Sequence, residues 1–273
     1  METTVKKRNS VKRKVKEREQ CAICGKQLDV SADIHNRKYY VEGSGQLCKS
    51  CYEKLYVNIP DEAYFKQEIE KYKNTIHYET KNGYEFFRRT IDVLFSLVAI
   101  IPSSLLIILF SVIIRLESKG NPIFSQVRVG KDGKLIKIHK LRSMRNDAES
   151  NGQKWAEKDD PRITKVGKFI RKHRIDELPQ MFDVLTGTMS LIGPRPEVPN
   201  LTKEFNEENP GFVTRLMVTP GLSGWAQING GYDLSPREKW LRDNEYIENR
   251  NIKMYFKIFY LTIKTVLIGE GAR

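Results

Sequence analysis

Residues 93–114 read VLFSLVAIIPSSLLIILFSVII, 22 residues without a charged side chain. As one helix this run reaches about 33 Å, enough to cross the hydrocarbon core of a bilayer. Pro102 stands near its middle, followed by Ser103 and Ser104. A proline removes one helix hydrogen bond and crowds the preceding turn, so a kink or break is expected there. The two serines can satisfy the backbone groups that a break frees. Arg88 and Arg89 precede the run, and Arg115 and Lys119 follow it. Positive charge favours the cytoplasmic side of a membrane. A straight span puts one of these basic pairs on the wrong side, whereas a segment that breaks and returns satisfies both. From the residues alone a simple span and a re-entrant segment both stand.

The run is the sole such stretch in a chain of 273 residues, 30% of them charged. That composition excludes a polytopic membrane protein and a disordered chain, and the length allows one or two domains with a real core. The net charge is +13 and is unevenly placed: residues 1–20 carry +5 and residues 128–174 carry +9. Such clusters suit nucleic acid, an anionic bilayer or phosphorylated small molecules. The first twenty residues lack apolar periodicity and read as a disordered basic tail. No apolar stretch follows them as a secretory signal would need.

Four cysteines occur, as Cys21-x-x-Cys24 and Cys48-x-x-Cys51, with 23 residues between the pairs. Two thiolates from each tight turn can complete one tetrahedral zinc site, and four protein ligands leave no position open for substrate. Two disulfides or four thiols are the other readings. A structural zinc module over 21–56 is expected, since a unit that small needs such a staple. Residues 61–82 carry Tyr64, Phe65, Ile69, Tyr72 and Ile76 at helical spacing and predict a linking helix, within a linker of 57–85, that ends before Gly83.

Beyond the apolar run, Ile123–Val129 and Leu135–Leu141 predict a hairpin around Lys131-Asp132-Gly133. Val166, Phe169 and Ile170 mark one short helix. Leu178, Met181, Phe182 and Leu185 mark another, stopped by Gly187. From Ile252 to Ile268 a broad apolar face with lysines off it fits a core helix or a helix lying in a membrane interface.

Asp176-Glu177-Leu178-Pro179-Gln180 follows the most basic part of the chain. Asp176 stands where a helix N-cap stands, and Glu177 suits the dipole there. The same place favours phosphate, and a carboxylate beside a divalent cation can attack phosphorus. Gly193-Pro194-Arg195-Pro196 fixes an arginine between two prolines, pre-aimed for an anion.

From about residue 86 to the end, the chain resembles the bacterial sugar transferase family, the monotopic phosphoglycosyl transferases. The resemblance runs in order through Arg88-Arg89-x-x-Asp92, Pro102, Pro122-Ile123-Phe124-Ser125-Gln126, Lys140-Leu141-Arg142-Ser143-Met144, Asp160-Pro161-Arg162-Ile163-Thr164, Asp176 to Gln180, Met189 to Pro196 and Pro220 to Trp225. It implies a mixed α/β, mainly helical fold, with a re-entrant helix-break-helix over 86–116, interfacial helices, and a catalytic domain over 117–273 on the cytoplasmic face of the inner membrane. The implied reaction moves a sugar-1-phosphate from a UDP-sugar to polyprenyl (undecaprenyl) phosphate, with release of UMP. The product starts a capsule, exopolysaccharide or related glycan, on which downstream glycan-assembly enzymes act. Asp176 is implied as nucleophile, Glu177 as its partner in placing Mg²⁺, and Arg171 and Arg195 as phosphate ligands. Lys140 and Arg142 are weaker candidates for the same surface, and Asp243 is a further acidic candidate. Many members carry an acid where Tyr255 stands, and the cysteine pairs have no counterpart in the resemblance. The rival readings are a membrane-tethered zinc protein that binds nucleic acid or protein, and a scaffold built on an inactive transferase; the transferase reading expects no nucleic acid.

Overall fold

In the computed structural model the described residues are 16–21, 26–31, 39–41, 45–49, 59–146, 148 and 160–268. The chain divides into two compact units, residues 1–58 with 146–152, and residues 59–145 with 153–273.

In the smaller unit, β1 (Lys16–Gln20) pairs antiparallel with β2 (Gln27–Ser31), and β3 (Tyr40–Val41) with β4 (Gly45–Gln46). Part of the stretch read as a disordered tail is therefore a strand. Its charged side chains carry no apolar signal, and its order comes from the backbone ladder to β2. Cys21 and Cys48 are buried together with Leu47, and the Cys48 N–H donates to Cys21 Sγ at 3.2 Å. Cys24 and Cys51 lie outside the described residues, as does most of the 21–56 stretch.

The larger unit opens with α1 (Glu62–Tyr72), capped by the Asp61 carboxylate on the Tyr64 N–H. Its Phe65 is buried against Val129, Val213 and Leu216. The predicted linking helix thus stops at Tyr72, ten residues early. The next helix, α2, runs from Asn82 to Glu117 and takes Gly83 into its first turn, where glycine costs little because the first turn is flanked by unpaired amides in any case. Pro102 sits inside α2 and one helix runs through it, so the helix-break-helix expected over 86–116 is a single helix here: the proline forfeits one backbone bond, which the turns on either side of it tolerate.

β5 (Ile123–Val129) and β6 (Leu135–Leu141) form the predicted hairpin, Ile123 opposite Leu141, joined through a 3₁₀ turn in which Asp132 and Gly133 adopt positive φ. Then come α3 (Lys165–Lys172), α4 (Gln180–Thr186), β7 (Ser190–Ile192), α5 (Pro199–Glu208), β8 (Gly221–Ser223), α6 (Trp225–Ile228), α7 (Pro236–Asn249) and α8 (Ile252–Ile268). β7 and β8 pair in parallel. The main core lies where α4, β7, α7 and α8 meet the start of α2, around Val184, Met189, Ile192, Ile247, Tyr255 and Ile258.

Both ends of α2 are fastened to this unit. Near the start, Arg89 donates to the carbonyls of Val184 and Leu185, at the C-terminus of α4. Asp92 accepts from the Leu191 N–H at 3.0 Å, from Arg88 at 2.8 Å and from the Tyr255 hydroxyl at 3.3 Å. Tyr255 is thus an anchor of the helix pair α2–α8. At the far end, Ile114 packs on Leu141 and Ile170, Phe110 stacks on Phe169, and Glu117 accepts from the Val166 N–H. Between these anchors Leu94, Leu97, Val98, Ile101, Leu105, Ile108 and Leu109 are more than half exposed.

α8 is both a core helix and an apolar surface. Tyr255 and Ile258 are buried, while Phe256, Tyr260, Ile263 and Val266 are exposed. Phe259 meets Phe95 edge-on at 5.4 Å, so the exposed faces of α8 and α2 adjoin.

Candidate active site

The acidic pair lies in a tight turn between α3 and α4. α3 ends at Lys172, and Arg174 adopts the left-handed conformation (φ 56°). A non-glycine residue there costs about 1 kcal/mol or more. The reversal feeds a 3₁₀ turn, Ile175–Glu177, and α4 begins only after Pro179. Asp176 is therefore not the N-cap expected from its position. Pro179 holds that place with no side-chain hydrogen bond, and Asp176 sits a turn earlier. Ile175 packs against the cluster of Ile114, Leu141 and Ile170, which holds the turn from below.

The two carboxylates have opposite electrostatics. Glu177 Oε1 accepts from the Arg195 guanidinium and from Lys140 Nζ at 3.4 Å. Burial pushes Glu177 up, but Arg195, Lys140 and Arg174 outweigh it and hold the carboxyl well below its ordinary range. Asp176 is 7% exposed and its carboxylate accepts no hydrogen bond among the described residues. Burial and then the adjacent Glu177 charge push it up to about 6, against the pull of Lys140, Arg171 and Arg174. One acid is locked ionised; the other is poised near neutrality with its oxygens uncommitted.

Arg195 reaches Glu177 from the loop after β7. The tight parallel crossing of β7 and β8 sets that loop. A Cβ on Gly193 would meet the Thr219 carbonyl at 2.4 Å, and one on Gly221 would meet Gly193 N at 2.1 Å. The Pro220-Gly221-Leu222-Ser223-Gly224 stretch, chemically mute in the sequence, is the strand that fits against this loop. Gly193 N donates to Ser223 O and Gly221 N to Pro194 O.

Asp176, Glu177, Lys140, Arg171 and Arg195 thus converge from β6, α3, the acidic turn and the β7 loop. Arg171 also donates to Ser143 Oγ at 3.4 Å. Arg174, part of the basic run that precedes the acidic pair in the sequence, acts on both carboxylates; its left-handed backbone leaves no sequence signal. Arg142 is used elsewhere: its guanidinium donates to the Ser118 and Lys119 carbonyls at 2.7 and 2.8 Å, capping the end of α2. Asp243 is 1% exposed on α7, with its carboxylate 2.6 Å from Arg215. Neither joins the acidic turn.

Among the described residues no three carboxylate, histidine or cysteine side chains group as a metal site. Mg²⁺ commonly needs only one or two carboxylates, the rest being water and substrate phosphate. The uncommitted Asp176 carboxylate and the second oxygen of Glu177 fit that pattern. Cys21 and Cys48 bring one member of each cysteine pair into contact, as a shared metal requires.

A compact α/β unit bolted at two points to a long apolar helix, with a carboxylate pair facing clustered cations, is the class of protein this fold and site define. The chain belongs to the bacterial sugar transferase family, whose profile matches residues 83–269. It is similar to the UDP-N-acetylgalactosamine-undecaprenyl-phosphate N-acetylgalactosaminephosphotransferase of Aeromonas hydrophila, 45% identical over 193 residues, 70% of this chain and 46% of that protein. It is 36% identical to the UDP-glucose:undecaprenyl-phosphate glucose-1-phosphate transferase of Escherichia coli (strain K12), over 68% of this chain and 41% of that protein. An uncharacterized sugar transferase of Bacillus subtilis (strain 168), EpsL, is 36% identical over 67% of this chain and 89% of its own length. The chain spans less than half the length of the first two relatives.

Proposed function

We propose that this protein transfers a sugar-1-phosphate from a UDP-sugar to undecaprenyl phosphate, releasing UMP and starting a surface glycan. The observation that carries the reading is the split acidic pair, set among Lys140, Arg171, Arg174 and Arg195. Relatives acting on UDP-linked sugars and undecaprenyl phosphate support the substrate classes.

Asp176 is the nucleophile. One of its oxygens bonds to the β-phosphorus of the donor while the anhydride bond to the α-phosphate breaks and UMP leaves. An oxygen of the lipid phosphate then bonds to the same phosphorus, and the Asp176 carboxylate departs. Arg171, Arg195 and Lys140 hold phosphate oxygens and oppose the charge that builds on them. Glu177 keeps Arg195 and Lys140 in place and, by its own charge, raises the basicity of Asp176. Asp176 and Glu177 would hold Mg²⁺, whose chemistry there would be to neutralise diphosphate charge. The experiment is UMP release with Asp176→Asn, joined to intact-protein mass after incubation with donor alone. Loss of release and a sugar-phosphate adduct on the unsubstituted protein only are expected; release near the parent level would remove the assignment.

The same reading places α2 in the membrane as a re-entrant segment on the cytoplasmic face of the inner membrane. Arg89 and Asp92 at one end, and Ile114 and Glu117 at the other, bond to one folded unit. Two ends tied to one folded unit support a segment that returns to the side it entered. Pro102, between the two anchors, is the deepest point. The cysteine pairs Cys21/Cys24 and Cys48/Cys51 bind a structural zinc, which metal analysis should find at one per chain. The nucleic-acid alternative has less support, since Lys140 and Arg142 are turned to a carboxylate and to carbonyls within the fold.

A further inference from the structure

Behind Arg195 lies a second set of charges that the mechanism above does not use. It comprises Arg128 on β5, Glu197 immediately after the Pro-Arg-Pro turn, Arg215 in the 3₁₀ stretch Phe212–Met217, and Lys239 and Asp243 on α7. Glu197, Arg215, Lys239 and Asp243 are all buried. Glu197 lies 3.0 Å from Lys239, 3.5 Å from Arg128 and 4.0 Å from Arg215. Asp243 lies 2.6 Å from Arg215, whose guanidinium also covers the Phe212 ring at 4.8 Å.

Burying four charges, with the part-buried Arg128 beside them, is costly, and apolar packing of the same volume commonly serves stability as well or better. The set therefore asks for another reason, and its hydrogen bonds supply one. Arg215 Nη2 donates to the Arg195 carbonyl at 2.8 Å, and Arg128 Nη1 donates to the Pro196 carbonyl at 3.0 Å. The Val129 N–H donates to the Glu197 carbonyl at 2.9 Å, tying the same stretch to β5. Residues 195, 196 and 197 are thus gripped in succession, while Pro194 and Pro196 fix the backbone on either side. With the backbone held, the Arg195 side chain points to Glu177.

We infer that Arg128, Glu197, Arg215, Lys239 and Asp243 form a positioning frame for Arg195, fixing the guanidinium that faces Glu177 and the donor phosphates. Arg215 is its centre, because it touches the Arg195 carbonyl and both buried acids. The frame acts through Arg195 and does not meet substrate itself. The inference rests on the transfer reaction proposed above.

The test is a double-mutant cycle on the full chain in lipid nanodiscs, read as UMP release. Arg215→Met should lower kcat roughly 10- to 100-fold with a much smaller change in donor KM, since a misaimed group loses transition-state stabilisation before ground-state binding. Arg215→Lys keeps the charge but cannot hold both acids and the carbonyl, so an intermediate kcat is expected. In an Arg195→Ala background, Arg215→Met should cost no more than about 2-fold further, because the two residues act as one unit. Equal losses in both backgrounds, or no loss beside an intact Arg195, would overturn the inference. If Arg215→Met does not fold, Asp243→Asn takes its place in the same cycle. An active Asp176→Asn protein defeats the reaction itself; an inactive one beside an additive cycle defeats only the frame.

Discussion

Asp176 and Glu177 are neighbours in the chain with opposite effects on folding. The folded state raises the Asp176 carboxyl to about 6, so between its unfolded value and 6 the native protein holds a proton that the unfolded chain has released. That proton favours the native state as pH falls toward 4, and the ionised group destabilises it above 6. Asp176→Asn removes the burden, so at pH 7.5 a gain of about 1–3 kcal/mol, seen as a higher melting temperature, is expected together with loss of UMP release. Glu177 is depressed, so its stabilisation is full above the unfolded value and falls away progressively as pH drops below it toward the folded value. Glu177→Gln leaves Arg195 and Lys140 without their shared anion and should cost about 2–4 kcal/mol by the same melt. A common sign for the two substitutions would contradict the assigned electrostatics. In the free enzyme kcat/KM for donor should rise through about pH 6 as Asp176 ionises; a flat profile from pH 5 to 7 would count against Asp176 as nucleophile. The acidic pair was legible in the sequence, with the arginines around it. Which acid is locked and which is poised was not, because that depends on Arg195 arriving 18 residues later.

At the scale of elements, the hairpin, α3, α4 and the Gly187 stop were legible, since each rests on local periodicity or one turn residue. The errors fell where tertiary contacts decide. α1 stops at Tyr72 although its apolar spacing runs on, and β1 forms from a stretch that reads as a charged tail. Arg142 illustrates the same limit: its motif resembles a phosphate site, yet its guanidinium holds three oxygens at Ser118 and Lys119. Charge-assisted bonds of this kind are worth about 1.5–3 kcal/mol each before compensation. Arg142→Met should therefore lower the melting temperature while leaving donor KM within about 2-fold of the parent, the reverse of what a phosphate ligand gives. Gly193→Ala should be more damaging than Arg142→Met, since its Cβ would meet the Thr219 carbonyl at 2.4 Å and Gly221 N at 2.9 Å, backbone atoms rather than a flexible side chain. A loss of several kcal/mol, or no folded protein, is expected.

For the whole molecule the decisive matter is how an apolar helix serves a site built from charges. The anchors on α2 answer it. Arg89 caps α4, the helix that follows the acidic turn, and Asp92 holds Leu191 in β7, the strand that leads to Arg195. The acidic turn and the Arg195 loop are thus fixed to the part of α2 that enters the apolar segment; in the proposed reaction this would set Asp176 beside the membrane, where a lipid-borne phosphate would arrive. This arrangement requires that residues on either side of 93–114 lie on one side of the bilayer. Single cysteines at Phe86 and Leu116, both well exposed, in a background with the native cysteines replaced by serine, test it in sealed inverted vesicles with a membrane-impermeant maleimide. Inverted vesicles turn the cytoplasmic face outward, so both positions should label without detergent, and both should be protected in right-side-out spheroplasts. Labelling of one position alone in each preparation would mean a true span, and would separate the acidic turn from one of the two anchors that hold it.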